Sequence, residues 1–172
     1  MAMKQFSVGD PLGSADVNEY LVNTIWVPKT GATTISSSTA FANDPDLTTT
    51  LAPSKTYFLE ATIVFTSPSA AGFKCAFNFP AGALFVGYCL FSTISGGQYS
   101  NTFSTAGGAA TLSGPVVAGS LGGSLDDFVA FRGLLQTLGT GGGFTFKWAQ
   151  NISNGGSTIV RDKSSMLLNR VA

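Results

Sequence analysis

Apolar side chains return at every second position along most of this chain, and that single regularity limits what it can fold into. Tyr57, Leu59, Ala61, Ile63 and Phe65 alternate with Phe58, Glu60, Thr62, Val64 and Thr66, the second set being partly polar. A period of two puts each set on one side of an extended backbone, so the segment predicts a long, half-buried β-strand. Phe73, Cys75, Phe77 and Phe79 alternate with Lys74, Ala76 and Asn78, and Phe144, Phe146 and Trp148 alternate with Thr145, Lys147 and Ala149. Shorter strands fit Ile25 to Val27, Leu47 to Leu51, Leu84 to Phe91, Gly97 to Phe103, Phe128 to Leu138, Thr158 to Asp162 and Met166 to Val171. Turn signals separate them at Pro80-Ala81-Gly82, Gly141-Gly142-Gly143 and Asn154-Gly155-Gly156. Many strands and almost no helix predict an all-β fold, an antiparallel β-sandwich. A jelly roll is the version that closes a unit of this size with few exposed edges.

The period changes only before Thr24. Phe6 to Pro11 reads as an extended arm ending in Gly9-Asp10-Pro11. Ala15 to Asn23 follows, with Ser14 placed to cap it, Asp16 in its first turn, and Val17, Tyr20 and Leu21 at helical spacing. A helix this short is not stable alone in water, so its apolar stripe has to pack on something. The expected organisation is therefore an arm and short helix over residues 1–23, for attachment or oligomerisation, ahead of a β-sandwich domain over residues 24–172.

Composition narrows the chemistry. The chain contains no histidine, which removes every Ser-His-Asp or Cys-His arrangement and the commonest metal ligand. Nine basic residues balance nine acidic ones, and only 10% of the chain is charged. Such a surface provides no electrostatic attraction for nucleic acid and little self-repulsion, which suits packing against copies of itself or a partner. Met1 to Val8 holds one lysine and no apolar stretch of signal-peptide length, and no window approaches a membrane span; neither secretion nor a membrane partner is expected. Cys75 and Cys89 lack the spacing of a zinc site and read as reduced core residues. A hairpin through Pro80 to Ala83 that pairs Phe79 with Leu84 would set Cys75 opposite Tyr88 and Cys89 opposite Lys74, on opposite sides of one sheet.

Each candidate for chemistry has a plainer structural reading. Gly139 to Gly143 runs into a strand rather than into Gly-Lys-Ser/Thr and a helix, so it predicts a hairpin turn and not a phosphate loop. Asp44/Asp46 and Asp126/Asp127 lack the ligand ladder of a calcium loop and read as exposed loop carboxylates. Glu60 is the one acid within the long strand predicted over Tyr57 to Thr66, which leaves a glycosidase without its second carboxylate. Asn151-Ile152-Ser153 matches a glycosylation sequon but has no secretion signal to give it meaning. Arg161, Lys163 and Arg170, interrupted by Asp162, read as a solvated face or an inter-subunit contact. No enzyme, metal or cofactor is expected.

Both ends of the chain carry a resemblance. Phe6-Ser7-Val8-Gly9-Asp10-Pro11-Leu12, followed by Ala15-Asp16-Val17-Asn18-Glu19-Tyr20-Leu21, resembles the leader of small structural proteins of tailed bacteriophages that infect actinobacteria, in which a phenylalanine, a glycine and a leucine precede a short helix. Trp148-Ala149-Gln150-Asn151 and the closing Arg170-Val171-Ala172 are similar to that family's terminal hairpin and tail. Asn43 to Leu47, Lys55 to Glu60 and Phe79 to Ala83 fit the same pattern, whereas Ser92 to Asp127 does not. The resemblance implies a non-enzymatic virion structural protein, made in the host cytoplasm and placed on the particle surface. Within that class we expect a capsid decoration protein on the head, with a minor tail protein as the alternative. Its implied partners are itself, as a homotrimer, and the major capsid protein or tail proteins of the same virion. Phe6, Leu12, Val17, Tyr20 and Leu21 would supply the attachment or trimer contacts. A carbohydrate-binding module is the rival from another class, and it would need Trp26, Tyr88 or Tyr99 exposed together in a groove.

Overall fold

The computed structural model describes residue 13 and residues 23–92, 98–105, 116–118 and 126–171. Its strands are β1 (Thr24–Pro28), β2 (Thr33–Ile35), β3 (Ala42–Leu51), β4 (Thr56–Thr66), β5 (Phe73–Asn78), β6 (Leu84–Ser92), β7 (Gln98–Thr105), β8 (Val116–Ala118), β9 (Asp127–Gln136), β10 (Gly142–Gln150), β11 (Thr158–Val160) and β12 (Ser165–Arg170). Among the described residues there is no helix. The expected arm and helix, and with them Phe6, Leu12, Val17, Tyr20 and Leu21, lie outside the described residues.

Two antiparallel sheets form the sandwich. The larger runs β1-β12-β4-β9-β6-β7, with β11 joined to the far end of β4 and to β2; the smaller runs β3-β10-β5-β8. The order follows a simple rule. β1 pairs with β12, β3 with β10, β4 with β9 and β5 with β8, so the chain is one long hairpin whose two arms meet rung by rung. The β1–β12 and β2–β11 rungs lie in the larger sheet, and from there the rungs alternate, β3–β10 in the smaller, β4–β9 in the larger and β5–β8 in the smaller, which rolls the hairpin into a jelly roll. β6 and β7 come from the tip of that hairpin and extend the larger sheet beyond β9.

Alternation in the sequence explains why two sheets are needed. Each long strand has one apolar side, and that side leaves water only when a second sheet lies over it. Leu59, Ile63, Phe65, Phe131 and Leu135 from the larger sheet meet Leu47, Phe73, Phe77, Phe144 and Phe146 from the smaller, all fully buried. Phe65 stacks on Phe73 with ring centres 4.1 Å apart, and Phe77 meets Phe131 edge-on at 5.0 Å. Gly87 on β6 and Gly133 on β9 are register partners on this inner side. A Cβ at Gly133 would stand 2.7 Å from the Phe85 ring, so the paired glycines let that ring lie flat against the backbone of both strands.

Three expectations need correction. Pro80 to Ala83 is not the turn of a hairpin, because β5 and β6 belong to different sheets. Gly139 to Gly143 likewise carries the chain from β9 in the larger sheet to β10 in the smaller. The proposed cysteine register falls with the first of these. Cys75 pairs with Trp148 and Val116, and Cys89 with Phe131 and Asn101. Both cysteines are fully buried in the interior and neither is in a disulfide. Burial, and then the neighbouring Cys89, push the Cys75 thiol well above its ordinary pKa.

The third correction concerns the acids. Asp44 and Asp127 are buried, at 1% and 3% exposure, and both lie in strands rather than in exposed loops. Lys29, which follows β1, reaches across with its Nζ 2.9 Å from each Asp44 carboxylate oxygen. The Thr33 hydroxyl, the Trp148 indole N–H and the amides of Asp46 and Leu47 also donate to Asp44. A buried charge is tolerable only when paired and hydrogen-bonded in this way. The network clasps the β1 edge of the larger sheet to the β3 edge of the smaller one. Asp46 completes it: burial acts to raise its pKa, but the amide and hydroxyl of Thr30, the amide of Gly31 and the charge of Lys29 outweigh burial and hold it below the ordinary value.

Candidate interaction face

Where β4, β9 and β6 lie side by side, the outer face of the larger sheet is ordered in cross-strand rows. One row is Phe58–Leu134–Val86, the next Glu60–Arg132–Tyr88, and the next Thr62–Ala130–Leu90. Val86 is 62% exposed, Leu134 51% and Phe128, one row further along β9, 45%. Val86 and Leu134 are cross-strand neighbours, and large apolar side chains this open at adjacent positions are what distinguishes an interaction surface from ordinary scattered exposure.

A shallow groove of about 340 Å3 runs through the first two rows, walled by Phe58, Val86, Tyr88, Arg132 and Leu134 and floored by Gly87 and Gly133. The floor is backbone alone, because side chains at these two positions would point inward at the Phe85 ring. One polar group crosses the groove. Arg132 Nε donates to Glu60 Oε1 at 2.7 Å, and its Nη2 makes a second bond to the same oxygen. Its guanidinium lies 5.7 Å from the Phe58 ring centre. The bonds from Glu60 and then Tyr88 raise the Arg132 pKa further, so it is a fixed cation. Glu60 thus sits on the polar side of its strand, as its alternation predicts, and its partner is a base.

The carboxylates are not brought together. Asp126 accepts from Arg161 and Lys163 at 3.2 Å each, which also breaks up the basic cluster, while Arg170 donates to Asn23. Glu60 stands opposite Arg132 on β9, and Asp127 is five residues away along that strand, roughly 17 Å at the rise of an extended chain. Among the described residues no group of His, Cys, Asp and Glu could hold a metal ion, and no helix is long and apolar enough to cross a membrane. Trp26 is 67% exposed and shares a row with Tyr88 through Leu167, Glu60 and Arg132. Four strand spacings separate the two rings, roughly 19 Å, so they share a face without sharing a groove. The Tyr99 side chain lies outside the described residues.

Alternation analysis singled out neither Val86, Leu134 nor Phe128. The signal was present in another form: Leu84-Phe85-Val86 and Gly133-Leu134-Leu135 are apolar at both parities, which marks strands covered on both sides.

No protein-family model matches the chain, and no curated protein is similar to it in sequence. Among solved structures it is similar to that of the infectious bursal disease virus Gx strain, at 9% identity over 86% of this chain and 38% of that one, with a TM-score of 0.21. It is also similar to the VP2 subviral particle of the same virus, at 8% identity over 87% of this chain and 40% of that one, with a TM-score of 0.23. The chain spans about two-fifths of the length of those proteins. At such TM-scores the likeness carries no argument about what this chain does.

Proposed function

We propose that the chain is a non-enzymatic structural protein of a tailed-bacteriophage virion that assembles through the outer face of its larger sheet. The observation that carries this is the apolar face over β4, β9 and β6, on a sandwich whose other outer face is polar. The resemblance at the two ends of the chain supplies the setting: a decoration protein on the head surface, joining copies of itself as a homotrimer and contacting the major capsid protein. Phe6, Leu12, Val17, Tyr20 and Leu21 are its attachment residues. A minor tail protein uses the same physics at another place on the particle. Sugar stacking is disfavoured, because the two described aromatics offered for it are four strands apart.

The test is location. An antibody against the chain is expected to label the heads of intact particles in negative-stain microscopy, at many sites per particle. Label confined to the tail would replace the decoration role with the tail role. A chain absent from purified particles would overturn the proposal.

A further inference from the structure

Lys29 and Asp44 meet with both side chains fully buried, in a geometry that goes beyond what holding two sheets together requires. We propose that the pair condenses: Lys29 Nζ and Asp44 Cγ join in an intramolecular amide, with release of water. The bond does not depend on the assembly role argued above.

Four observations lead here. First, the reacting atoms are in contact. Nζ lies 2.9 Å from each Asp44 oxygen. With carboxyl bonds of about 1.2 Å, that sets Nζ roughly 3.2 Å from Cγ, within the range from which a held nucleophile attacks. Second, the two oxygens are held differently, as addition and then elimination at one carbon needs. Oδ1 accepts from the backbone amides of Asp46 and Leu47 at 3.1 Å each, fixed donors suited to the charge that an attacked carbonyl oxygen develops. Oδ2 accepts from the Thr33 hydroxyl at 3.1 Å and the Trp148 indole N–H at 3.3 Å. Third, a second carboxylate reaches the nitrogen, with Asp46 Oδ2 at 3.5 Å from Nζ. Fourth, the pair is out of water, so a neutral amide replaces two buried charges rather than two hydrated ones. A recess of about 200 Å3 lined by Thr33, Pro45 and Trp148 gives the released water a way out.

The step balances without a co-reactant. Lys29 passes one proton to Asp44 Oδ2, leaving a free amine and a carboxylic acid. The Nζ lone pair forms a bond to Cγ, and the carbonyl electron pair moves onto Oδ1. Nζ then loses a second proton to Asp46, which hands it to the Oδ2 hydroxyl. The Oδ1 double bond re-forms, the Cγ–Oδ2 bond breaks, and Oδ2 leaves as water. The amide nitrogen keeps the last ammonium hydrogen, and nothing is oxidised or reduced. The product ties the chain after β1 to β3 covalently, and so one sheet to the other.

The experiment is mass spectrometry of the full natural chain, read after denaturation. The expected intact mass is that of the sequence less one water. Trypsin should cut after the other lysines but not after Lys29. The peptide from Gln5 to Lys55 should lack the same water and yield no backbone fragments between residues 29 and 44. Lys29→Arg should show the full mass, and Asp46→Asn should be recovered mainly at the full mass because its proton carrier is gone. A natural chain of full mass that trypsin cuts after Lys29 overturns the proposal and leaves the clasp an ion pair. So does a missing water that persists in Lys29→Arg, since the loss then lies elsewhere. The decisive reading is made on the natural chain, so a variant that folds poorly does not obscure it.

Discussion

The sandwich has two outer faces made of the same kind of antiparallel strand, and they differ in how their outward positions are filled. On the smaller sheet Thr48 and Thr145 share a hydrogen bond of 2.8 Å, Asn78 donates to Asn43 at 3.0 Å, and the ammonium groups of Lys74 and Lys147 lie 5.0 and 5.4 Å from the Phe41 ring centre. These polar groups find partners within the face. On the larger sheet Glu60 and Arg132 pair in the same way, but the outward positions around them hold Leu134, Val86 and Phe128, each roughly half exposed or more. The inner faces of the two sheets are equally apolar, so the contrast is not a requirement of folding. It teaches that one face is finished by the chain itself, while the other keeps large side chains in water, as the proposed assembly role requires.

The largest expected effect comes from opening the clasp that keeps both faces on one sandwich. Lys29→Met leaves the fully buried Asp44 carboxylate without its counter-charge, and should cost about 3 to 5 kcal/mol in denaturant unfolding. A loss below about 1 kcal/mol would mean that the sheets hold together without it. A smaller effect, aimed at the contrast itself, compares Phe128→Ser with Thr145→Ala. The first should weaken association about tenfold with little change in unfolding, because a half-exposed ring gains its burial only in a complex; the second should leave association unchanged. Equal effects in sedimentation would erase the distinction between the faces. The smallest effect is acid-dependent. Asp46 has a folded-state pKa below its ordinary 3.8, so its contribution is fully present above that value and is lost as pH falls through the lower folded value. The stability gap between the natural chain and Asp46→Asn should therefore narrow on acidification below about pH 4. A gap that stays constant down to pH 2 would show that the Thr30 and Gly31 amides do not favour the ionised form.

Strands were legible in the sequence because a period of two is a local property, and Tyr57 to Thr66 or Phe144 to Trp148 display it without reference to neighbours. Sheet membership was not. Pro80-Ala81-Gly82 says that the chain turns, yet a turn within a sheet and a crossing between sheets use the same residues, and β5 and β6 present the same alternation either way. The clasp was hidden for a related reason. Asn43-Asp44-Pro45-Asp46 looks like a turn until its partner is known, and that partner is 15 residues upstream of Asp44. One clue was available: Lys29 shares parity with Ile25 and Val27, so a strand continued to it points a lysine inward and demands an acid. The attachment residues remain a proposal drawn from residues 6 to 21, and the exposed apolar positions of the larger sheet became visible only once β9 and β6 were placed side by side.

The rung-by-rung pairing also sets a timetable. The innermost pair, β6 with β7, joins Ser92 to Gln98, whereas the outermost, β1 with β12, joins Thr24 to Asn169 and closes a loop of 145 residues. Closure becomes steadily more costly with loop length, and folds dominated by such distant pairings form slowly. During synthesis, β1 leaves the ribosome first and must wait for the last of its partners, β12, before its edge is paired. The N-terminal segment ahead of it is thus tethered to an unfinished sandwich for most of translation. Its point of departure at Asn23 is fixed only when Arg170 bonds there, after the last strand has been made.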